Sequence, residues 1–423
     1  MSIFFDKHIL VAGNGISGFG AKESLLKMGA TVSTFCDGDQ FFDKDYDMIV
    51  LSPSFEKNHF LYNVAKQKDI PIFGEYALGC MLNDKPLIAI TGTNGKTTVT
   101  SMLSDIFSIS HKPIVCGNIG LSFSACAIQD NYDVAITEVS SFQLEQTPYF
   151  CPKIAVITNI TPDHLIRHKT MEEYVKIKFS ITAHQLQDDY LVLPYDDELY
   201  DLSMLKTNAK TIYVSAKQKV DGAYLENDNF YFCGEKICSQ KDIPLLSTYH
   251  NQVNTLFAIA VSKVYGISNN DIVSALTKYK LPDHRIQLVS SINGVKFYND
   301  SKSTNIDSTL KALKTMKGST VLILGGSKKG LDYSELFKNL NNVVKVCAIG
   351  EVADNLIECA YSNSFFEIEK FDCLENAVVN GFLLSPDNVL LSPATASFGE
   401  FSSYKERGEK FCEIVERIAN GKE

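Results

Sequence analysis

The sequence predicts an α/β protein of three domains, and three observations carry that prediction. Short apolar strand patterns alternate with helical ones along the chain, which is the grammar of doubly wound sheets. Gly13-Asn-Gly-Ile-Ser-Gly18 follows a strand pattern and opens a helical one, as in Rossmann-like nucleotide folds. Ile88-Ala-Ile-Thr-Gly-Thr-Asn-Gly-Lys-Thr-Thr98 runs from an apolar strand into a glycine turn, a lysine and two threonines, the layout of a phosphate-binding loop. We therefore expect a Rossmann-like domain over residues 1–85, a central P-loop ATPase-type domain with a mostly parallel sheet over 86–282, and a second Rossmann-like domain over 283–423. At 423 residues the chain is too long for one ordinary core.

In chain order, residues 8–12, 31–36 and 48–51 read as strands, with a helix over 18–28 between the first two. Lys85 and Pro86 interrupt the pattern and set the first boundary. A strand over 86–90 enters the phosphate loop, and a helical pattern follows over 99–107. Strands over 113–116, 134–137 and 154–158 end in polar loops, at the sheet edge where open α/β folds bind ligands. Thr170-Met-Glu-Glu173 reads as a capping box opening a helix that carries Lys176 and Lys178. The strand-rich stretch 208–240 is expected to form a small extra sheet, followed by helices over 254–264 and 270–278. Beyond Pro282, Asn293-Gly294 signals a hairpin. Strands over 320–324, 344–349 and 389–391 follow, and an amphipathic helix over 402–418 ends the pattern.

The bulk numbers exclude several classes. A hydrophobic content of 45% without low-complexity tracts indicates a globular chain, and a formal net charge of −10 argues against coating nucleic acid. Eleven cysteines stand without a CxxC pair, and no signal-peptide pattern opens the chain. Both suggest reduced, mostly buried thiols in a cytoplasm. No apolar run reaches the roughly 18 residues needed to span a membrane.

The chemistry concentrates at strand ends. In the loop over 92–98, backbone N–H groups and a helix N-terminus would cradle phosphates, Lys96 would reach the outer ones and Thr97 would ligate Mg²⁺. Gly92 stands three residues before Gly95, where the general P-loop pattern has five. Glu138 follows a buried-type strand and is placed to hold Mg²⁺ or its water; the plain alternative is a helix N-terminal charge. Asp163-His164 follows the next strand. A lone histidine is usually structural, but here the loops of Lys96, Glu138 and His164 would converge on one sheet edge. Lys178 would ordinarily read as a solvated lysine. The glycines of residues 13–18, with Asp37 at the end of the next strand, suit a nucleotide diphosphate, against the plain reading of a tight strand–helix turn. In the third domain, Asn299-Asp-Ser-Lys-Ser-Thr-Asn305, Gly325-Gly-Ser-Lys-Lys329 and Ser392-Pro-Ala-Thr-Ala-Ser397 are three polar strand-end loops. Together they suggest a substrate cleft, although the first alone reads as a helix cap.

With Gly117-Asn-Ile-Gly120 and Glu138-Val-Ser-Ser-Phe-Gln-Leu-Glu145 added, these motifs resemble the Mur ligase family along essentially the whole chain. The loops at 299–305 and 392–397 are similar to the branch that adds D-glutamate. The resemblance implies ATP-dependent amide formation between UDP-N-acetylmuramoyl-L-alanine and D-glutamate, through an acyl phosphate, in a bacterial cytoplasm. It implies ATP and two Mg²⁺ ions, no nucleic acid, no membrane insertion and a monomer. Gly92, Thr93, Asn94, Gly95, Lys96, Thr97, Thr98, Asn251, Asn254, Arg285 and Asp300 would bind ATP. Gly15, Ile16, Ser17, Asp37 and Asn118 would bind the UDP substrate. Thr304, Lys329, Ser397, Phe398 and Tyr404 would bind D-glutamate. Thr97 and Glu138 would hold one Mg²⁺, and His164 with Lys178 the other, the lysine being carbamylated so that it becomes an anion. Lys96, His164, Lys178 and Lys302 would serve the reaction, with domain closure around Pro282 to Arg285. The rivals are a folylpolyglutamate synthase-like ligase, which shares a similar P-loop, an NAD-dependent dehydrogenase argued from residues 13–18, and an ATP-sensing binding module.

Overall fold

The computed structural model of the chain describes residues 2–41, 44–196, 201–328, 330–397 and 399–421. The chain divides into two compact units, Met1–Pro162 with Arg167–Lys280, and Asp163–Ile166 with Leu281–Glu423.

The first unit holds two sheets. One has parallel strands β1 (His8–Ala12), β2 (Thr31–Phe35), β3 (Met48–Leu51) and β4 (Ile72–Gly74) in the order β2-β1-β3-β4. The other comprises β5 (Leu87–Thr91), β6 (Pro113–Gly117), β7 (Val134–Glu138), β8 (Ile154–Ile157), β9 (Tyr190–Pro194), β10 (Lys210–Ser215), β11 (Gly222–Glu226), β12 (Asn229–Phe232) and β13 (Glu235–Ser239). Their order is β13-β12-β11-β10-β9-β8-β5-β7-β6. Every residue of β5, β7 and β8 is buried, as expected of central parallel strands covered on both faces. Each Ile or Val sealed there contributes about 1.5–3 kcal/mol of burial. The helix Glu75–Leu82 joins the two sheets: Tyr76 is fully buried in the second core and its hydroxyl lies 2.6 Å from Thr137 Oγ1.

Several expectations change. Residues 208–240 make no separate sheet, because β10 pairs parallel with β9 from Lys210 to Val214 and β11–β13 continue from it. A free β9 edge would have left its backbone groups unpaired. The helix after β5 is Lys96–Phe107, so Lys96, Thr97 and Thr98 form its first turn. Thr170 does cap the helix Met171–Phe179 through the Glu173 N–H. Its own N–H, however, donates to His168 O at 2.8 Å and leaves no second half of a capping box to make. The thiols are less buried than expected: Cys116, Cys126, Cys238 and Cys347 are buried, whereas Cys151 and Cys233 are exposed.

The second unit holds β14 (Gln287–Ile292), β15 (Val295–Asn299), β16 (Thr320–Gly325), β17 (Val343–Ile349), β18 (Ile368–Lys370) and β19 (Asn388–Leu391), ordered β14-β15-β19-β16-β17-β18. The predicted hairpin forms β14–β15, with Asn293 and Gly294 both at positive φ (51° and 87°), the turn that matches strand twist. The other pairings are parallel, so β15, β19 and β16 end side by side. Among the described residues, no helix is long and apolar enough to cross a membrane.

Candidate functional site

The glycine turn after β1 lines a cavity of about 550 Å³ with Gly15, Ile16, Ser17 and Asp37 on its wall, and with Ser52, Pro53, Ser54 and Phe55 from the loop after β3. Two of its three glycines are sterically required. A Cβ on Gly13 would meet Ser52 Oγ at 2.1 Å, and one on Gly18 would meet Gly13 O at 1.9 Å, whereas one on Gly15 would meet nothing within 4 Å. Gly15 therefore leaves the backbone open to close approach by a ligand. Asp37 Oδ1 lies 2.9 Å from His59 Nε2, a partner that no sequence motif marks.

At the neighbouring sheet, β5 lies between β8 and β7, so the phosphate-type loop is braced from both sides. Asn94 N–H donates to Asn159 Oδ1 at 2.9 Å, and Thr158 Oγ1 donates to Asn94 O at 2.6 Å. Thr93 N–H donates to Asn159 O at 2.9 Å. Gly92 has φ 139° and a Cβ there would strike Thr158 Oγ1 at 1.9 Å. Lys96 Nζ donates to Gly92 O and Thr93 O, both at 3.0 Å. Thr97 Oγ1 donates to Glu138 Oε2 at 2.6 Å, and Asn118 Nδ2 donates to Glu138 Oε1 at 2.8 Å. One buried carboxylate thus gathers a loop hydroxyl and Asn118, residues drawn from three strand ends. Glu138 is itself the last residue of β7. Thr98 is buried in the helix. Asn251 and Asn254 are buried on the helix Tyr249–Tyr265. Asn254 Oδ1 would sit 2.6 Å from a Cβ on Gly95, so Asn254 reaches the loop.

Lys178 is buried, 1% exposed, whereas Lys176 is exposed. Its Nζ donates to Gly92 O at 2.9 Å and lies 4.7 Å over the Tyr174 ring. Tyr174 OH in turn lies 3.1 Å from Thr93 Oγ1. The lysine expected to carry a modification is therefore packed against the phosphate-type loop. His164, at φ 54°, falls in the second unit beside Asp163, whose Oδ2 accepts from Asn305 Nδ2 at 3.3 Å. Among the described residues, no three His, Cys, Asp or Glu cluster to hold a metal ion. At the phosphate-type loop, Thr97 and Glu138 bring two side-chain oxygens together.

In the second unit the three strand-end loops are bonded to one another. Ser392 Oγ donates to Asp300 Oδ2 at 2.7 Å, Ala394 N–H to Ser303 O at 3.0 Å, and Thr395 Oγ1 to Ser327 O at 2.6 Å. Lys302 Nζ lies 5.1 Å over the Tyr404 ring. Ser397 is buried and Thr304 half-buried. Lys329 and Phe398, two expected D-glutamate contacts, lie outside the described residues. Sequence reading missed Arg407. It is 1% exposed and donates to Ser301 O at 2.9 Å, Gly325 O at 3.3 Å and Thr395 O at 3.3 Å, tying all three loops together. On an amphipathic helix it looked like any surface arginine.

Asp300 is 3% exposed. Burial pushes its carboxyl up to about 6, against hydrogen bonds from Ser303 and Ser392 and the attraction of Arg285. A raised carboxyl pKa destabilises: the unfolded chain gives up this proton near pH 3.8, the folded chain only near 6. The penalty is absent below about pH 4, grows up to about pH 6 and then stays at an order of 2–3 kcal/mol. Asp300→Asn should therefore gain stability over the wild type as pH rises from about 4 to 6. Urea unfolding across that range checks it, and a difference that does not change with pH would refute it.

A family model described as the Mur ligase middle domain matches residues 90–262. A UDP-N-acetylmuramoylalanine–D-glutamate ligase of Caldanaerobacter subterraneus is 36% identical, covering 97% of this chain and 98% of that protein. Ligases of the same name from Bacillus cereus and Streptococcus thermophilus are 34% and 35% identical, each with 98% of both chains covered. Among solved structures, MurF of Acinetobacter baumannii superposes with a TM-score of 0.63 at 15% identity, covering 98% of this chain and 93% of that one. The UDP-N-acetylmuramate–alanine ligase MurC of Thermotoga maritima gives 0.61 at 18%, covering 98% and 100%. These likenesses show the three-domain fold.

Proposed function

Because this chain belongs to the Mur ligase family, among the UDP-N-acetylmuramoylalanine–D-glutamate ligases, we propose that its three sheets divide the work of one ligation. The chain is an ATP-dependent ligase that adds D-glutamate to UDP-N-acetylmuramoyl-L-alanine in peptidoglycan precursor synthesis. The dehydrogenase and folylpolyglutamate synthase-like readings are not favoured by these relatives. Residues 1–85 hold the UDP end in the cavity lined by Gly15, Ile16, Ser17 and Asp37. Residues 86–282 hold ATP, and 283–423 hold D-glutamate, with Thr304, Ser397 and Tyr404 among the contacts. The observation that carries this reading is the Thr97–Glu138–Asn118 network at the mouth of a braced P-loop.

In the first step a substrate carboxylate oxygen attacks the γ-phosphorus, the bond to the ADP oxygen breaks and an acyl phosphate forms. Lys96 lies on the loop where the γ-phosphoryl group develops charge and offsets it. In the second step the D-glutamate nitrogen attacks the acyl carbon, phosphate leaves, and a base takes the amine proton. His164 fills that role only if it holds no metal. Lys302 and Lys329 hold anionic groups, while Asn251 and Asn254 contact the nucleoside.

The residues fit Mg²⁺. Thr97 and Glu138 offer hard oxygens that already face each other, and an ion there supplies charge neutralisation to the phosphates. A second ion at Lys178 fits only if the lysine is carbamylated, since an ammonium repels a cation. We expect a cytoplasmic monomer.

ADP release should require both UDP-N-acetylmuramoyl-L-alanine and D-glutamate. Across a panel of amino acids, stimulation by L-glutamate equal to that by D-glutamate would break the assignment.

A further inference from the structure

The loop after β3, residues 52–55, forms one wall of the glycine-turn cavity, yet it is held from the neighbouring sheet. Arg167 NH1 donates to Pro53 O at 2.8 Å and NH2 to Phe55 O at 3.2 Å. The same guanidinium clamps Glu145 Oε2 through Nε at 3.0 Å and NH2 at 2.7 Å, and its carbon lies 4.2 Å over the Phe142 ring. Both side chains are nearly sealed, 9% and 10% exposed. Gln146 Nε2 adds a bond to Phe55 O at 2.7 Å.

This arginine suits positioning, not ligand binding. Glu145 neutralises its charge, and Nε, NH1 and NH2 are all engaged by protein oxygens. Its planar fork spans Pro53 O, Phe55 O and Glu145 Oε2 while lying over the Phe142 ring, a combination that the compact ammonium of lysine does not reproduce. Glu145 ends the helix Ser141–Glu145, which follows β7 and its terminal Glu138. The clamp therefore fixes the cavity wall relative to the strand end that bears Glu138.

We propose that Arg167, paired with Glu145, is a positioning residue for the UDP-bearing substrate: it sets the wall of the UDP cavity against the Glu138 end of β7. The inference rests on the reading of that cavity as the UDP site. A loosened wall would misplace the carboxylate end of the substrate while leaving the phosphate loop intact.

The test is steady-state kinetics of Arg167→Lys, which keeps the charge and loses the fork. KM for UDP-N-acetylmuramoyl-L-alanine should rise about 10- to 100-fold, while KM for ATP stays within about twofold. Glu145→Gln, which keeps the shape, should shift the same KM in the same direction by a smaller factor. An unmoved KM for the UDP substrate overturns the inference. So does a parallel loss for all three substrates with a fall in melting temperature, which would mark a merely structural role. Calorimetric binding of plain UDP to the wild-type chain tests the parent reading separately. If UDP does not bind, both fall; if it binds and Arg167→Lys leaves the KM unmoved, the positioning role alone falls.

Discussion

Lys96→Ala abolishes ADP release while the chain stays folded: this is the largest effect expected. The lysine stands in the first turn of the helix Lys96–Phe107 and is half-buried, its Nζ resting on Gly92 O and Thr93 O. That helix is anchored instead by Val99, Met102, Leu103, Ile106 and Phe107, all fully buried. Alanine suits a helix at least as well as lysine, so the core loses nothing. What goes is a cation at the loop that cradles the transferring phosphoryl group. Removing one such electrostatic contact costs about 10²–10³ in rate, and loss of a full charge beside a phosphate belongs at or beyond the upper end. A coupled ADP-release assay reads the activity and circular dichroism the fold. Turnover retained in a folded variant would remove Lys96 from the phosphate site.

Lys178→Ala should cost nearly as much, on the order of 10²–10³ in kcat, and for a different reason. Its side chain is buried and its nitrogen lies 2.9 Å from Gly92 O. As an ammonium it adds positive charge where a divalent cation is expected. As a carbamate, formed when the amine nitrogen takes up CO₂ and releases a proton, it offers an anion and two oxygens. Activity should therefore fall in CO₂-depleted buffer and return with bicarbonate, and ¹³C-bicarbonate should give a protein-bound carbamate resonance that Lys178→Ala lacks. Lys176→Ala, at an exposed position, should stay within about twofold of the wild type. A crystal of active enzyme with an unmodified Lys178 would refute the carbamate.

Much of this was readable from the chain itself wherever the physics is local. A two-residue Asn-Gly turn demands positive φ and closes β14 onto β15. An apolar run ending in Gly-Thr-Asn-Gly-Lys-Thr-Thr has few ways to fold other than strand, turn and helix start. Strand-end placement of Glu138 and of the loops at 299–305, 325–328 and 392–397 followed from the same alternation.

Other features depend on partners far along the chain, and there local pattern is silent. Lys176 and Lys178 lie on one helix, and two residues correspond to roughly 200° around its axis; packing alone decides that Lys178 is buried. Strands β10–β13 carry good strand patterns, but only the open edge of β9 determines which sheet they extend. Arg167 is an ordinary arginine until its partner Pro53, 114 positions upstream, is brought beside it. Arg407 is likewise one more cation on an amphipathic helix until three loops converge on it. Glycine turns and the polar residues at strand ends were legible in the chain alone, because backbone conformation and short-range spacing act within a few residues. The tertiary structure decided which side chains are sealed and which loops are braced, because burial and hydrogen-bond pairing are properties of surfaces that meet only when the chain has folded.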